Sequence, residues 1–125
     1  MTENDISYKL RGAIFNVYNN LGPGLLESVY VEVLRYELMK ENLEVRMEVP
    51  VPVFYENVKL EVGFRLDLLV GGKVIVEVKS VENLAEVHHK QVLTYLKLAN
   101  LKLGILVNFN VANIHEGIFR KVNGL

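Results

Sequence analysis

Asp67, Glu77 and Lys79 are the side chains whose types and spacing could do chemistry together. They lie in the run Asp67-Leu68-Leu69-Val70-Gly71-Gly72-Lys73-Val74-Ile75-Val76-Glu77-Val78-Lys79. Period-two alternation puts Glu77 and Lys79 on one face of a strand, and a tight turn at Gly71-Gly72 folds Asp67 back toward Glu77. Two carboxylates held together repel unless a proton or a cation lies between them. Oxygen ligands at this spacing suit Mg2+ or Mn2+. A lysine two residues on, beside the metal, can orient or deprotonate a water and stabilise charge on a phosphate. The plainer reading is a solvated strand face that ends at a turn. The neighbours Val74, Ile75, Val76 and Val78 read as interior strand, where charges need partners, and this favours a site.

Two other elements break their own apolar pattern. Glu27, in Gly24-Leu25-Leu26-Glu27-Ser28-Val29-Tyr30, falls between Leu34 and Leu38 on the helical wheel. A first-turn carboxylate favoured by the helix dipole explains its place along the helix but not its azimuth. In the last helix, Gln91 and Tyr95 fall within the arc of Leu84, Val87, Val92, Leu96 and Leu98. Their i, i+4 spacing presents them side by side. Gln91 then reads as a buried amide, and Tyr95 as a site residue or as core with a bonded hydroxyl. His88-His89 reads as helix surface, because adjacent helical residues diverge by about 100°.

The elements that must hold these residues follow from periodicity. One helix is predicted from about Ile6 to Asn20, ended by Gly22-Pro23-Gly24. A second runs from about Leu25 to Glu41, with Leu25, Leu26, Val29, Tyr30, Val33, Leu34 and Leu38 as its apolar arc. Val45 to Val53 alternates as a strand, and Pro50 and Pro52 mark it as an edge or an interruption. Tyr55-Glu56-Asn57 reads as a turn. From Lys59 on, Leu60, Val62, Phe64, Leu66 and Leu68 share one face, with Arg65 and Asp67 on the other. Lys73 to Ser80 is a strand, about Asn83 to Leu98 a helix, Leu103 to Phe109 an apolar central strand and Gly117 to Val122 a short one. Without that last short segment the order is α-α-β-β-β-α-β, which predicts one α+β, three-layer α/β/α domain over residues 1–125.

Composition bounds the function classes. Of 125 residues, 50% are hydrophobic and 23% charged, as in ordinary globular chains. With no cysteine, disulfides and thiolate metal sites are excluded. The polar start lacks a signal-peptide pattern, and no apolar run reaches the roughly 18 residues that span a bilayer. The expectation is a soluble, cytoplasmic protein that does not engage membranes. A net charge of −1 lacks the basic excess of a dedicated nucleic-acid binder. It leaves room for an enzyme whose divalent cation supplies local positive charge.

On these residues the chain resembles the PD-(D/E)xK nuclease superfamily. Asp67, nine intervening residues and Glu77-Val78-Lys79 resemble its D-x(n)-E-x-K signature. Gly24-x-x-Glu27-x-x-Tyr30 resembles the motif that names the GxxExxY proteins, a branch of it, and Gln91-x-x-x-Tyr95 is similar to the Q-x-x-x-Y element of recombination-type exonucleases. The resemblance covers about Leu10 to Phe109, with the motifs in the family's order. It implies a restriction-endonuclease-like α-β-β-β-α-β core with an extra N-terminal helix. It also implies Asp67, Glu77 and Glu27 as metal-facing acids, the Val78 carbonyl as a further ligand, and Lys79 as the catalytic lysine. Gln91, Tyr95 and Tyr30 would line the site. The implied cofactor is Mg2+ (or Mn2+), the implied substrate is nucleic acid, DNA by resemblance, and a homodimer is consistent with small nucleases of this fold. Leu66 stands where the family name has proline, a position that varies within the superfamily.

Two rival readings belong to other classes. One keeps the fold as a nucleic-acid- or protein-binding module without turnover, motivated by the balanced charge and short chain. The other is a structural cluster in which Lys79 simply neutralises Glu77.

Overall fold

The computed structural model describes residues 1–125. Two helices, α1 (Glu3–Leu21) and α2 (Glu27–Lys40), precede strands β1 (Val45–Tyr55), β2 (Val58–Val70) and β3 (Val74–Lys79). Helix α3 (Glu86–Ala99), strand β4 (Leu103–Asn108), a short 3-10 turn (Ile114–Gly117) and strand β5 (Ile118–Val122) complete the chain. The five strands form one mixed sheet in the order β1-β2-β3-β4-β5. β3 and β4 are parallel and the other neighbours antiparallel. Parallel neighbours need a crossover, and α3 supplies it.

The sheet divides two apolar cores. On one face Ile6, Leu10, Ile14 and Val17 of α1 and Tyr30, Leu34 and Leu38 of α2 pack on Val74, Val76, Val78, Leu103, Ile105 and Val107. On the other, Val92 and Leu96 of α3 pack on Ile75, Leu106, Leu66 and Val49. This is the expected three-layer α+β arrangement, with its sheet covered by helices on both sides. Helix α3 lies close against the sheet: a Cβ on Gly104 would meet Val92 Cγ1 at 2.7 Å.

Several local expectations change. Helix α1 begins at Glu3, because Thr2 and Asp5 form a reciprocal capping box that starts it early. Helix α2 begins at Glu27, so Leu25 and Leu26 precede it and are exposed, and Val29 is 39% exposed despite its place on the wheel. Helix α3 starts at Glu86 rather than Asn83, and Val87 and Leu98 of its expected arc are exposed. The prolines of β1 do mark an edge strand, since β1 pairs with β2 alone.

Strand β2 also departs from simple alternation. Leu68 and Val70 face the α1/α2 core, whereas Phe64 and Leu66 pack on the α3 side. The face assigned to Leu60 through Leu68 therefore breaks at Asp67. Beyond the α3 contact the β1–β2 ribbon projects, leaving Tyr55, Val58 and Val62 exposed.

Candidate functional site

Asp67 and Glu77 meet where β2 parts from β3. The last β2–β3 pair is Leu68↔Val76. The next rung would set Asp67 opposite Glu77, but side chains take over from the ladder there. Asp67 N–H donates to Glu77 Oε2 at 2.8 Å, and Val78 N–H donates to Asp67 Oδ2 at 2.8 Å. Each carboxylate is held by the other strand's main chain. In β3, Val74, Val76 and Val78 point into the α1/α2 core, so Glu77 and Lys79 share the α3 side with Ile75.

The Lys79 carbonyl accepts from Phe109 N–H at 3.0 Å, toward β4. Adjacent residues of a strand alternate, and a residue's N–H and C=O point to the same side. The Val78 carbonyl therefore turns to the β2 side, into the gap that holds the two acids. No buried side-chain oxygen lacks a hydrogen-bond partner. Asp67 Oδ1 and Glu77 Oε1 accept none, so both open to solvent.

Electrostatics set this pair apart. Burial pushes Glu77 up to about 8, with the charge of Asp67 adding to it, while the Asp67 N–H bond and Lys79 oppose. Burial also raises Asp67, against the Val78 N–H bond and the Lys79 charge, and Glu27 and Glu48 add to the rise. Glu77 is 8% exposed and Asp67 half-buried. Lys79 is half-buried and joins no ion pair; the single pair, Lys40–Glu37 at 3.1 Å, lies elsewhere. Both carboxyls are desolvated and neither is neutralised by direct contact with a cation.

Glu27, the first residue of α2, reaches the end of β3, where its Oε2 accepts from Ser80 N–H at 3.4 Å. Ser80 Oγ donates to the Leu25 carbonyl at 2.6 Å, which straps the segment before α2 to the strand bearing Glu77 and Lys79. Tyr30, expected to line the site, is fully buried and stacks on Phe109 at 4.3 Å. Its hydroxyl donates to the Gly22 carbonyl at 2.6 Å and accepts from Leu25 N–H at 3.2 Å. That hydroxyl is committed to shaping the segment that carries Leu25 and Glu27.

The last helix corrects one expectation. Gln91 is exposed, not a buried amide, because the buried stripe of α3 is only Val92 and Leu96. Tyr95 is half-buried, its ring stacked on Phe64 at 4.1 Å. Burial raises its hydroxyl, and the charges of Glu77 and Asp67 add to the effect, so it stands within their field. His88 stays at the helix start, where its Nδ1 accepts from Ala85 N–H at 3.0 Å.

Sequence reasoning passed over Ser80, Asn108 and Glu48. Asn108 is 3% exposed; its Oδ1 accepts from Val81 N–H and Asn110 N–H, and its Nδ2 donates to the Val81 carbonyl. It fastens the loop after β3 to the end of β4, and its signal was an amide closing an otherwise apolar strand. Glu48 shares its alternating strand's polar face with Arg46, and Ser80 follows the end of β3, so neither breaks a pattern.

The donor set fits a divalent cation: two carboxylates each with an oxygen open to solvent, and a main-chain carbonyl turned into the same gap. No three His, Asp or Glu side chains stand close enough together to enclose an ion by themselves. No helix is long and apolar enough to cross a membrane.

Among curated proteins and among solved structures, none matches the chain. The family model of the PD-(D/E)XK nuclease superfamily matches residues 4–121, nearly the whole chain and every element that holds the site. Members of that superfamily typically use divalent metal ions. With that span matched and the Asp67–Glu77–Lys79 arrangement at the parting of β2 and β3, the chain belongs to the PD-(D/E)XK nuclease superfamily.

Proposed function

We propose that this chain is a nuclease of the GxxExxY branch that hydrolyses phosphodiester bonds in DNA with Mg2+ or Mn2+. One observation carries the reading: Asp67 and Glu77 are desolvated, main-chain-anchored carboxylates on adjoining strand ends, each with an oxygen left open to solvent and without a neutralising ion pair. Asp67, Glu77 and the Val78 carbonyl would hold the ion, with Glu27 joining directly or through water. Water would complete the set of ligands these residues leave open. The bound cation would polarise the scissile phosphate and offset its developing charge.

Lys79, on the same face as Glu77, would position the attacking water and offset charge developing on the phosphate. Tyr95 and Gln91 line the approach from α3. A chain of net charge −1 has little electrostatic grip of its own on a polyanion, so substrate affinity depends on the loaded site. Purified protein, incubated with plasmid and single-stranded DNA plus Mg2+ or Mn2+, should cleave, and Lys79→Ala should not. Equal cleavage by the variant would mean that the activity belongs to a contaminant or to another site. Two copies acting together would cut both strands of a duplex, which sedimentation of the protein with and without DNA would reveal as a dimer.

A second reading, a binding module without turnover, draws on the absence of a three-acid cluster. Calorimetry separates the two: saturable Mn2+ binding lost in Asp67→Asn supports the nuclease, and no binding supports the module.

A further inference from the structure

Glu48 is the one non-glycine residue inside a strand with a left-handed backbone, φ 52. The others with positive φ, Asn42, Glu56, Asn57 and Asn100, lie in turns or at a helix cap. L side chains avoid this conformation, and the surrounding structure must hold it. Its place in the sheet is particular. β1 and β2 pair at Met47↔Leu68 and at Val49↔Leu66, which leaves Glu48 and Asp67 as the unpaired rung between them.

Both strands change face at that rung. Val45 and Met47 pack with the α1/α2 core, whereas Val49 and Val51 pack on the α3 side. Leu68 and Val70 lie in the first core, and Leu66 and Phe64 join the second. Residues two apart in a regular strand face the same way, so each strand turns over here. β2 leaves β3 at the same level, after Leu68↔Val76.

We infer that Glu48 is a positioning residue: its left-handed backbone turns the ribbon over at Asp67, peels β2 from β3, and presents Asp67 to Glu77 with the carboxylates in place of ladder bonds. An extended residue at 48 would let the ribbon run straight. Asp67 would then face Glu77 as an ordinary rung, with its N–H spent on the ladder rather than on Glu77 Oε2. The role belongs to the backbone of residue 48, not to its carboxylate. It rests on the reading of Asp67 and Glu77 as metal ligands.

The test compares Glu48→Gly, Glu48→Ala and Glu48→Val, which lack the carboxylate equally and differ in their tolerance of positive φ. Glycine adopts it freely, alanine at a cost, and a β-branched side chain least of all. Calorimetric titration with Mn2+ should give Glu48→Gly an affinity within about threefold of the parent, Glu48→Ala about fivefold weaker, and Glu48→Val more than tenfold weaker. A metal-free readout accompanies it: NMR couplings across the hydrogen bonds from the Asp67 and Val78 amides to the two carboxylates. These should persist in Glu48→Gly and vanish in Glu48→Val. Should Glu48→Val fail to fold, the glycine–alanine comparison still decides. Equal affinity in all three variants overturns the proposal, and so does equal loss in all three, which would assign the role to the carboxylate. If the parent protein binds no Mn2+, the metal reading fails, while the couplings still decide the role of Glu48.

Discussion

Asp67 and Glu77 anchor each other through main-chain groups rather than side chain to side chain. Asp67 N–H donates to Glu77 Oε2, and Val78 N–H, one residue past Glu77, donates to Asp67 Oδ2. Burial disfavours charge on both carboxylates, and the charge of Asp67 adds to the rise at Glu77; the two bonds of the clasp offset that cost only in part.

That cost makes stability depend on pH. Glu77 rises from an ordinary 4.5 to about 8 in the fold, through burial first and Asp67 second. Below 4.5 folded and unfolded chains both carry the proton, and nothing is lost. Between 4.5 and 8 the unfolded chain ionises while the fold keeps its proton, so stability falls as pH rises through the window and levels off above it. Urea unfolding of metal-free protein should show a loss of several kcal/mol across the window, and Glu77→Gln should remove most of that slope.

Metal should reverse the loss. A cation that binds only the deprotonated site expels the Glu77 proton, so Mn2+ affinity should tighten as pH rises toward 8 and proton release should accompany binding. At pH 8, Mn2+ at one hundred times its Kd should stabilise the fold by about 2.7 kcal/mol. Asp67→Asn should abolish this gain in a thermal-shift measurement.

Lys79 should matter to rate far more than to stability. It is half-buried and outside any ion pair, so Lys79→Ala should change unfolding free energy by about 1 kcal/mol or less. The same variant should lose about 100-fold or more in cleavage rate. Lys79→Arg should not restore it, because the broad planar guanidinium differs from a compact ammonium in size and donor geometry. A large stability loss without a rate loss in the folded fraction would instead mark Lys79 as structural.

Tyr30→Phe tests the segment before α2. The ring and its stack on Phe109 remain, but the Gly22 carbonyl and Leu25 N–H lose their partner. The expected cost is about 1–2 kcal/mol in chemical denaturation. A weaker Mn2+ affinity should accompany it, because Leu25 and Glu27 are tied to Ser80 from that segment.

Asn108→Ala should be costlier. It removes three hydrogen bonds and leaves the Val81 N–H and carbonyl without their partner beside a buried strand end. About 2–3 kcal/mol is expected from equilibrium unfolding.

Much of this molecule was legible in one dimension. Gly22-Pro23-Gly24, Gly71-Gly72 and Glu56-Asn57 punctuate the chain because each interrupts or reverses the backbone locally, and the structure turns there. Val74–Lys79 and Leu103–Asn108 were recognisable as interior strands from unbroken apolar runs. Asp67, Glu77 and Lys79 stood out because charged groups in such strands contradict their surroundings, and their closeness follows from a short hairpin.

What the sequence could not decide depends on contacts between distant segments. The turnover of β1 and β2 at Glu48 and Asp67 is invisible to alternation, since both faces of the ribbon are apolar in turn and the choice between two cores is made by helices elsewhere in the chain. Gln91 looked buried because a wheel records azimuth and not how wide a stripe the sheet covers; only Val92 and Leu96 are fully buried, with Tyr95 partly so, and Gln91 falls outside. Tyr30 was expected at the site only through the resemblance of Gly24-x-x-Glu27-x-x-Tyr30, while the wheel placed it in the apolar arc, and its hydroxyl turns to Gly22 and Leu25. Sequence by itself determined which residues are chemically out of place and the order of elements that carries them. Only the tertiary structure decided which strand lets go of which, and that parting turns two acids on neighbouring strands into one anchored pair.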